Sequence, residues 1–222
     1  MQLAKNMYVF MGGTFDPVHQ GHIQGALQVS ALFDNNAVHL LPAKIPVHKS
    51  APTTSVEQRI EMLQLVVDKT AELQLDLREI NRAEQSFTID TLKQLRRELG
   101  ATTPLVMVIG MDSFSSLPQW RDSRQFLGYC HILVLQRPPY VDLNDAHKQG
   151  KAELEQHREF FAQRIFDVKK LSSAAGGCLY FYQQPPIAIS ASEIRQQIKN
   201  KKHSYLLPIA VANYINQHHL YQ

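Results

Sequence analysis

One unbroken run near the start of the chain, Tyr8 to His22, constrains what it can fold into more than any other feature. Tyr8–Met11 is a short apolar stretch suited to a buried parallel strand. Gly12-Gly13 is expected to end that strand with backbone that a ligand can approach closely. Asp16-Pro17 signals a turn. His19 and His22 stand three residues apart at the mouth of an expected helix running through Leu27 to Phe33, so both imidazoles should share one face. They would lie beside the unpaired N–H groups of the helix start. Backbone donors, a positive dipole end and two imidazoles make an anion site, with phosphate as the expected anion.

What is missing narrows the reading. A lone Gly-Gly with two histidines could be a turn with surface residues, but the full run is harder to dismiss. There is no Gly-Lys-Ser/Thr of a Walker loop and no Gly-x-Gly-x-x-Gly dinucleotide fingerprint. His-x-Gly-His lacks the i, i+4 spacing and intervening Glu of a zincin helix, which disfavours zinc. The run from Gly12 to His22 resembles the signature of the nucleotidylyltransferase superfamily, whose members transfer a nucleotidyl group from a nucleoside triphosphate to a phosphate-bearing acceptor.

Composition sets the frame. The 222 residues suit a single α/β domain over 1–222, with 141–177 as a peripheral insertion and 190–222 as a C-terminal helical portion. A hydrophobic fraction of 44% describes an ordinary soluble globular chain, and a net charge of +3 is too small to argue for a nucleic-acid partner. Of ten histidines only His19 and His22 are patterned, and the others are expected to be scattered over the surface. Cys130 and Cys178 lie in apolar strand-like runs and read as buried free thiols in a reducing cytoplasm. No signal-peptide layout or bilayer-length apolar run is present, so a cytoplasmic location without a membrane partner is expected. Assembly into a homo-oligomer is compatible with the sequence but not read from it.

Further strands are expected at Ala37–Leu41, Leu73–Leu77, Leu105–Ile109, His131–Leu135 and Cys178–Tyr182. Helices are expected from Ser55 through Val67 with an Ile60, Leu63, Val67 stripe, and from Thr88 with Leu92, Leu95 and Leu99 inward and Gly100 as the stop. Periodicity also suggests a helix over Ala152–Val168, and a last helix through Val211 to Ile215 should pack on the sheet. The expected fold is α/β, a Rossmann-like doubly wound parallel sheet with helices on both faces and a small C-terminal helical portion.

Several loops carry candidate groups. Past the second strand, His48 and Lys49 could meet phosphate. Arg59 could point into the cleft, although an exposed Arg is the more usual outcome. The helix start at Thr88 offers N–H donors suited to a carboxylate. Asp112, in Gly110-Met111-Asp112-Ser113, could serve ribose hydroxyls or a metal, or merely cap a helix. Trp120, beside Pro118, Gln119 and Arg121, has a poor core neighbourhood and suits an aromatic ligand, a stack worth about 1–3 kcal/mol. Ser190-x-x-Glu193 is a capping box. Arg195 and Ser192 add a guanidinium fork and a hydroxyl, making a second anion site.

Taken together, Gly12–His22, Pro46-Val47-His48-Lys49, Ser86-Phe87-Thr88, Gly110-Met111-Asp112-Ser113, Leu117-Pro118-Gln119-Trp120 and Ile189–Arg195 resemble bacterial nicotinate-nucleotide adenylyltransferase, in that family's order along the chain. Relatives usually carry Asn where this chain has Ala43-Lys44. The resemblance implies in-line attack by nicotinate mononucleotide on ATP, giving deamido-NAD and pyrophosphate, with no protein nucleophile. It implies His19, His22 and Arg195 as the catalytic groups. It implies Gly12, Gly13, Thr14, Phe15, Ile189, Ser190 and Ser192 as further ATP contacts. Thr88, Gly110, Asp112, Trp120, Arg121, His48, Lys49 and Arg137 would receive the second substrate. Mg²⁺ would be bound mainly through ATP phosphates, with no metal ligands from the chain. The rivals are a sister transferase using nicotinamide mononucleotide, phosphopantetheine or glycerol phosphate, and a non-catalytic nucleotide sensor.

Overall fold

The computed structural model describes residues 7–44, 52–83, 85–136, 156–183, 189–201 and 206–222. His48, Lys49, Arg137 and residues 141–155 of the expected insertion lie outside these residues.

In chain order the elements are β1 (Tyr8–Gly13), α1 (Gln20–Leu32), β2 (Val38–Pro42), α2 (Val56–Val67), β3 (Leu73–Leu75), α3 (Thr88–Leu99) and β4 (Leu105–Gly110). They continue with α4 (Met111–Ser116), α5 (Phe126–Tyr129), β5 (His131–Gln136), α6 (Arg158–Phe161), β6 (Arg164–Ile165), β7 (Leu179–Gln183), α7 (Ala191–Lys199) and α8 (Ile209–Gln217). The strands form one seven-stranded sheet in the order β3-β2-β1-β4-β5-β7-β6. This is the parallel, Rossmann-like α/β architecture expected from buried strands alternating with helices. The chain divides into two compact units, Phe10–Ser86 with Ile187–Gln222, and Met1–Val9 with Phe87–Pro186.

In the first of these units, β2 and β3 pair in parallel, with Val38 opposite Leu73 and Leu40 opposite Leu75. Helix α2 opens on a capping box between Ser55 and Gln58, both halves of which are made. Its inward face is Arg59, Met62, Leu63 and Val66, a rotation of the expected stripe that leaves Ile60 and Val67 only half-buried. Helix α8 packs against α2, and the two are joined by a hydrogen bond from the Tyr214 hydroxyl to Glu61. Burial and that bond raise the Tyr214 pKa to about 12.

In the second unit, β4 and β5 are buried almost throughout and pair in parallel, as do β5 with β7 and β7 with β6. Of the helix expected over Ala152–Val168, the described residues form only one short turn, Arg158–Phe161. Helix α6 stops at Phe161, and Arg164–Ile165 instead pairs with Leu179–Tyr180 as an edge strand. A β-branched residue beside an open sheet edge gains ladder hydrogen bonds there, which outweighs its modest helix propensity. The β3 strand is also shorter than expected, ending at Leu75.

The surface placement expected for the remaining histidines is wrong for two of them. His131 is fully buried with Nε2 on the Ala174 carbonyl at 2.8 Å, and His157 is buried with Nε2 on the Phe114 carbonyl at 2.8 Å. Burial lowers the His131 pKa, against the raising effect of the Ala174 bond. Cys130 is buried and Cys178 half-buried, both as free thiols. Among the described residues no helix is long and apolar enough to cross a membrane.

Candidate functional site

Strand β1 ends at the glycines, with Gly13 its last residue, and the Gly13 carbonyl accepts the Ala43 N–H at 2.9 Å. A Cβ on Gly12 would meet nothing within 4 Å, so this backbone is open to a ligand. At Gly13 the ring of Phe15 fills the equivalent space, 3.0 Å from where a Cβ would sit. Phe15 is itself buried, with φ 52 in the left-handed region. Its ring meets His22 edge-on at 5.0 Å.

His19 is the N-cap of α1 and His22 lies in its first turn. Their rings stack at 3.7 Å with planes 23° apart, so the shared face expected from their spacing is present. The intervening Gly21 has a specific reason: a Cβ there would stand 3.0 Å from the His19 ring and 3.1 Å from Ile189. Buried Ile189, from the second motif, Ile189–Arg195, closes on the same space beside Gly21.

In that second motif Ser190 and Glu193 make the full capping box ahead of α7. The Arg195 Nη1 donates to the Asp16 carbonyl at 2.7 Å and Nη2 to Ser192 Oγ at 3.2 Å. The guanidinium from one end of the chain is therefore seated on the same loop that presents the imidazoles.

Asp16, read from sequence only as a turn residue, is the hub of that loop. Its carboxylate accepts the Thr53 N–H at 2.8 Å and hydroxyl at 2.9 Å, the Thr54 hydroxyl at 2.7 Å and the Tyr221 hydroxyl at 2.6 Å. Burial pushes the Asp16 pKa up, but these hydrogen bonds outweigh it and hold the carboxyl below its usual value. The stability this ionised group contributes is therefore present above about pH 4 and lost as pH falls through its lower folded pKa. The melting temperatures of wild type and Asp16→Asn are expected to converge as pH is lowered from 6 to 3. A gap that stays constant across that range would contradict this assignment.

Arg59 was also missed in its role. It is 1% exposed and spans the two loops, with Nη1 on the Thr14 carbonyl at 2.9 Å and the Ala43 carbonyl at 2.7 Å, and Nη2 on the Lys44 carbonyl at 3.2 Å. Burial lowers its pKa. The readable signal was an arginine at the head of the 59, 62, 63, 66 helical stripe.

The remaining sequence candidates belong to the other unit. Thr88 opens α3, whose N-cap Phe87 supplies no side-chain hydrogen bond. Arg121 lies over the Phe87 ring at 4.5 Å and 3.8 Å from the Asp90 carboxylate. Gly110 is the N-cap of α4, and exposed Asp112 folds back so that its Oδ1 is 2.7 Å from where a Gly110 Cβ would be. Trp120 is half-buried, its Nε1 donating to Ser116 Oγ at 3.2 Å and its ring set edge-on to buried Phe126 at 6.4 Å. These groups offer helix N–H donors, a carboxylate and an indole.

Residues 10–197 match the family model described as cytidylyltransferase-like. A protein from Pseudomonas paraeruginosa named "Probable nicotinate-nucleotide adenylyltransferase" is 40% identical over 221 residues, covering 99% of each chain. One of the same name from a Marinomonas species is 38% identical over 213 residues, covering 96% of this chain and 93% of that one. A solved Plasmodium falciparum nicotinic acid mononucleotide adenylyltransferase, complexed with NaAD, superposes with a TM-score of 0.72 over 97% of both chains at 16% identity, a likeness of fold. The glycine run, the stacked histidines and the arginine bound back to their loop thus sit within a recognised frame, and this chain belongs to the cytidylyltransferase-like family, among the nicotinate-nucleotide adenylyltransferases.

Proposed function

We propose that this chain transfers the adenylyl group of ATP to nicotinate mononucleotide, giving deamido-NAD and pyrophosphate. The observation that carries this reading is the seating of Arg195 on the Asp16 carbonyl, in the loop that leads into the stacked His19–His22 pair. Cationic and N–H donors gathered on one loop suit a triphosphate. The named relatives, alike over nearly the whole chain, support the pyridine mononucleotide as acceptor.

In this reading a phosphate oxygen of nicotinate mononucleotide attacks the α-phosphorus in line. An O–P bond forms as the bond from the α-phosphorus to the pyrophosphate oxygen breaks, so no protein nucleophile is required. His19 and His22 neutralise charge developing at the α-phosphorus, and Arg195 with Ser192 holds the departing phosphates. The backbone of Gly12, Gly13, Thr14 and Phe15 lies along the phosphates, with Ile189 and Ser190 flanking. Asp112 over Gly110 takes ribose hydroxyls, Thr88 and Arg121 receive the pyridine carboxylate, and Trp120 stacks on the ring.

Mg²⁺ fits as a passenger on ATP. Among the described residues no three His, Cys, Asp or Glu side chains converge to hold a metal, and the Asp16 carboxylate is taken up by Thr53, Thr54 and Tyr221. When bound, the ion neutralises phosphate oxygens. The two free thiols support a reducing, cytoplasmic setting.

Incubation with ATP, Mg²⁺ and each mononucleotide in turn tests the reading. Pyrophosphate should be released fastest with nicotinate mononucleotide. Preference for nicotinamide mononucleotide would reassign the acceptor, and absence of release with any would reject transfer. Trp120→Ala is expected to raise KM for the pyridine nucleotide roughly 5- to 150-fold, the loss of a ring stack, while KM for ATP holds. Equal rises in both would assign the indole a structural role.

A further inference from the structure

We propose that Tyr221, beyond the last helix, is a positioning residue for the triphosphate end of the site, acting through Asp16. The inference rests on the transfer reading above and names a residue that reading does not use. Asp16 joins two sets of contacts through opposite parts of one residue. Its main-chain carbonyl receives Arg195 Nη1 at 2.7 Å, and its carboxylate is held by Thr53, Thr54 and Tyr221. Oδ1 takes the Thr54 and Tyr221 hydroxyls, and Oδ2 takes both donors of Thr53. A carboxylate has about four lone-pair sites, and four donors occupy them here. With the side chain pinned at each oxygen, the carbonyl has little freedom to swing away from the guanidinium. His19 follows only three residues later. Asp16 is 3% exposed, so the clamp works away from water, where hydrogen bonds to a charged group are strongest.

The contact is chemically specific. Burial and the bond to Asp16 raise the Tyr221 pKa, so the phenol stays protonated and always donates. The Tyr221 hydroxyl bonds to Asp16 and lies within electrostatic reach of Arg195, so its effect on the triphosphate end passes through Asp16 and the arginine seated on it.

The test is Tyr221→Phe, which keeps the ring and removes the donor. Binding of a non-hydrolysable ATP analogue, measured by calorimetry, is expected to weaken about 10-fold, the loss of one hydrogen bond to a charged group. KM for ATP should rise in step while KM for nicotinate mononucleotide stays within twofold. A purely structural tyrosine would reduce the active fraction, lowering kcat with both KM values fixed, and that outcome overturns the proposal. So does an unchanged ATP affinity, or an equal rise in both KM values. Should Tyr221→Phe fail to fold, Thr54→Val removes a donor from the same oxygen and must give the same split, with Thr54→Ser restoring it. Absence of that split overturns the clamp. Wild-type turnover, measured alongside, reports separately on the transfer reaction itself.

Discussion

His22→Ala is expected to lower kcat about 10²- to 10³-fold, the usual consequence of removing one donor aimed at developing transition-state charge. That corresponds to about 2.7–4 kcal/mol on the barrier. The same substitution removes a ring that stacks on His19 and touches Phe15, contacts worth about 0.5–1.5 kcal/mol beyond area burial. The catalytic loss should therefore exceed the stability loss. Single-turnover rates beside a melting curve separate the two. A variant with wild-type turnover would remove His22 from the chemistry.

Gly21→Ala should cost activity while leaving stability nearly unchanged. In a helix, alanine is favoured over glycine by about 0.8–1.0 kcal/mol. Here, however, the new methyl would press on the His19 ring at 3.0 Å and on Ile189 at 3.1 Å. One of these must move, and any shift of the His19 ring, buried and stacked on His22, disturbs the pair. Misplacing a reacting group by about 1 Å can cost 10²-fold in rate. We therefore expect turnover to fall about 100-fold with a melting temperature at or near that of wild type. A variant that keeps its turnover would show that the ring pair tolerates displacement.

Much of the fold was legible because its signals are periodic. The apolar runs that became β1, β4 and β5 are buried on both faces, and that pattern survives any surrounding. The capping box at Ser190 and the stop at Gly100 are equally local. Arg164–Ile165 became an edge strand because a partner strand stood beside it, and no local propensity records that partner.

The same distinction divides the site. Three-residue spacing predicted that His19 and His22 would meet. Nothing in the spacing shows that Asp16 collects Thr53, Thr54 and Tyr221, since its bond to Tyr221 crosses 205 positions of sequence. The choice between a cleft-facing and an exposed Arg59 stayed open for a related reason. Its partners are carbonyls, which every residue carries and no sequence marks.

That choice of partners has a consequence for variation. Arg59 grips the main chain at Thr14, Ala43 and Lys44, and Lys44 Nζ in turn reaches the Arg82 carbonyl at 2.7 Å. The Arg59 bonds hold the path of the segment without calling on either side chain, and the Lys44 amine adds one bond of its own. A substitution at 43 or 44 therefore forfeits at most the Lys44 contact and leaves the arginine's hold on the phosphate loop in place.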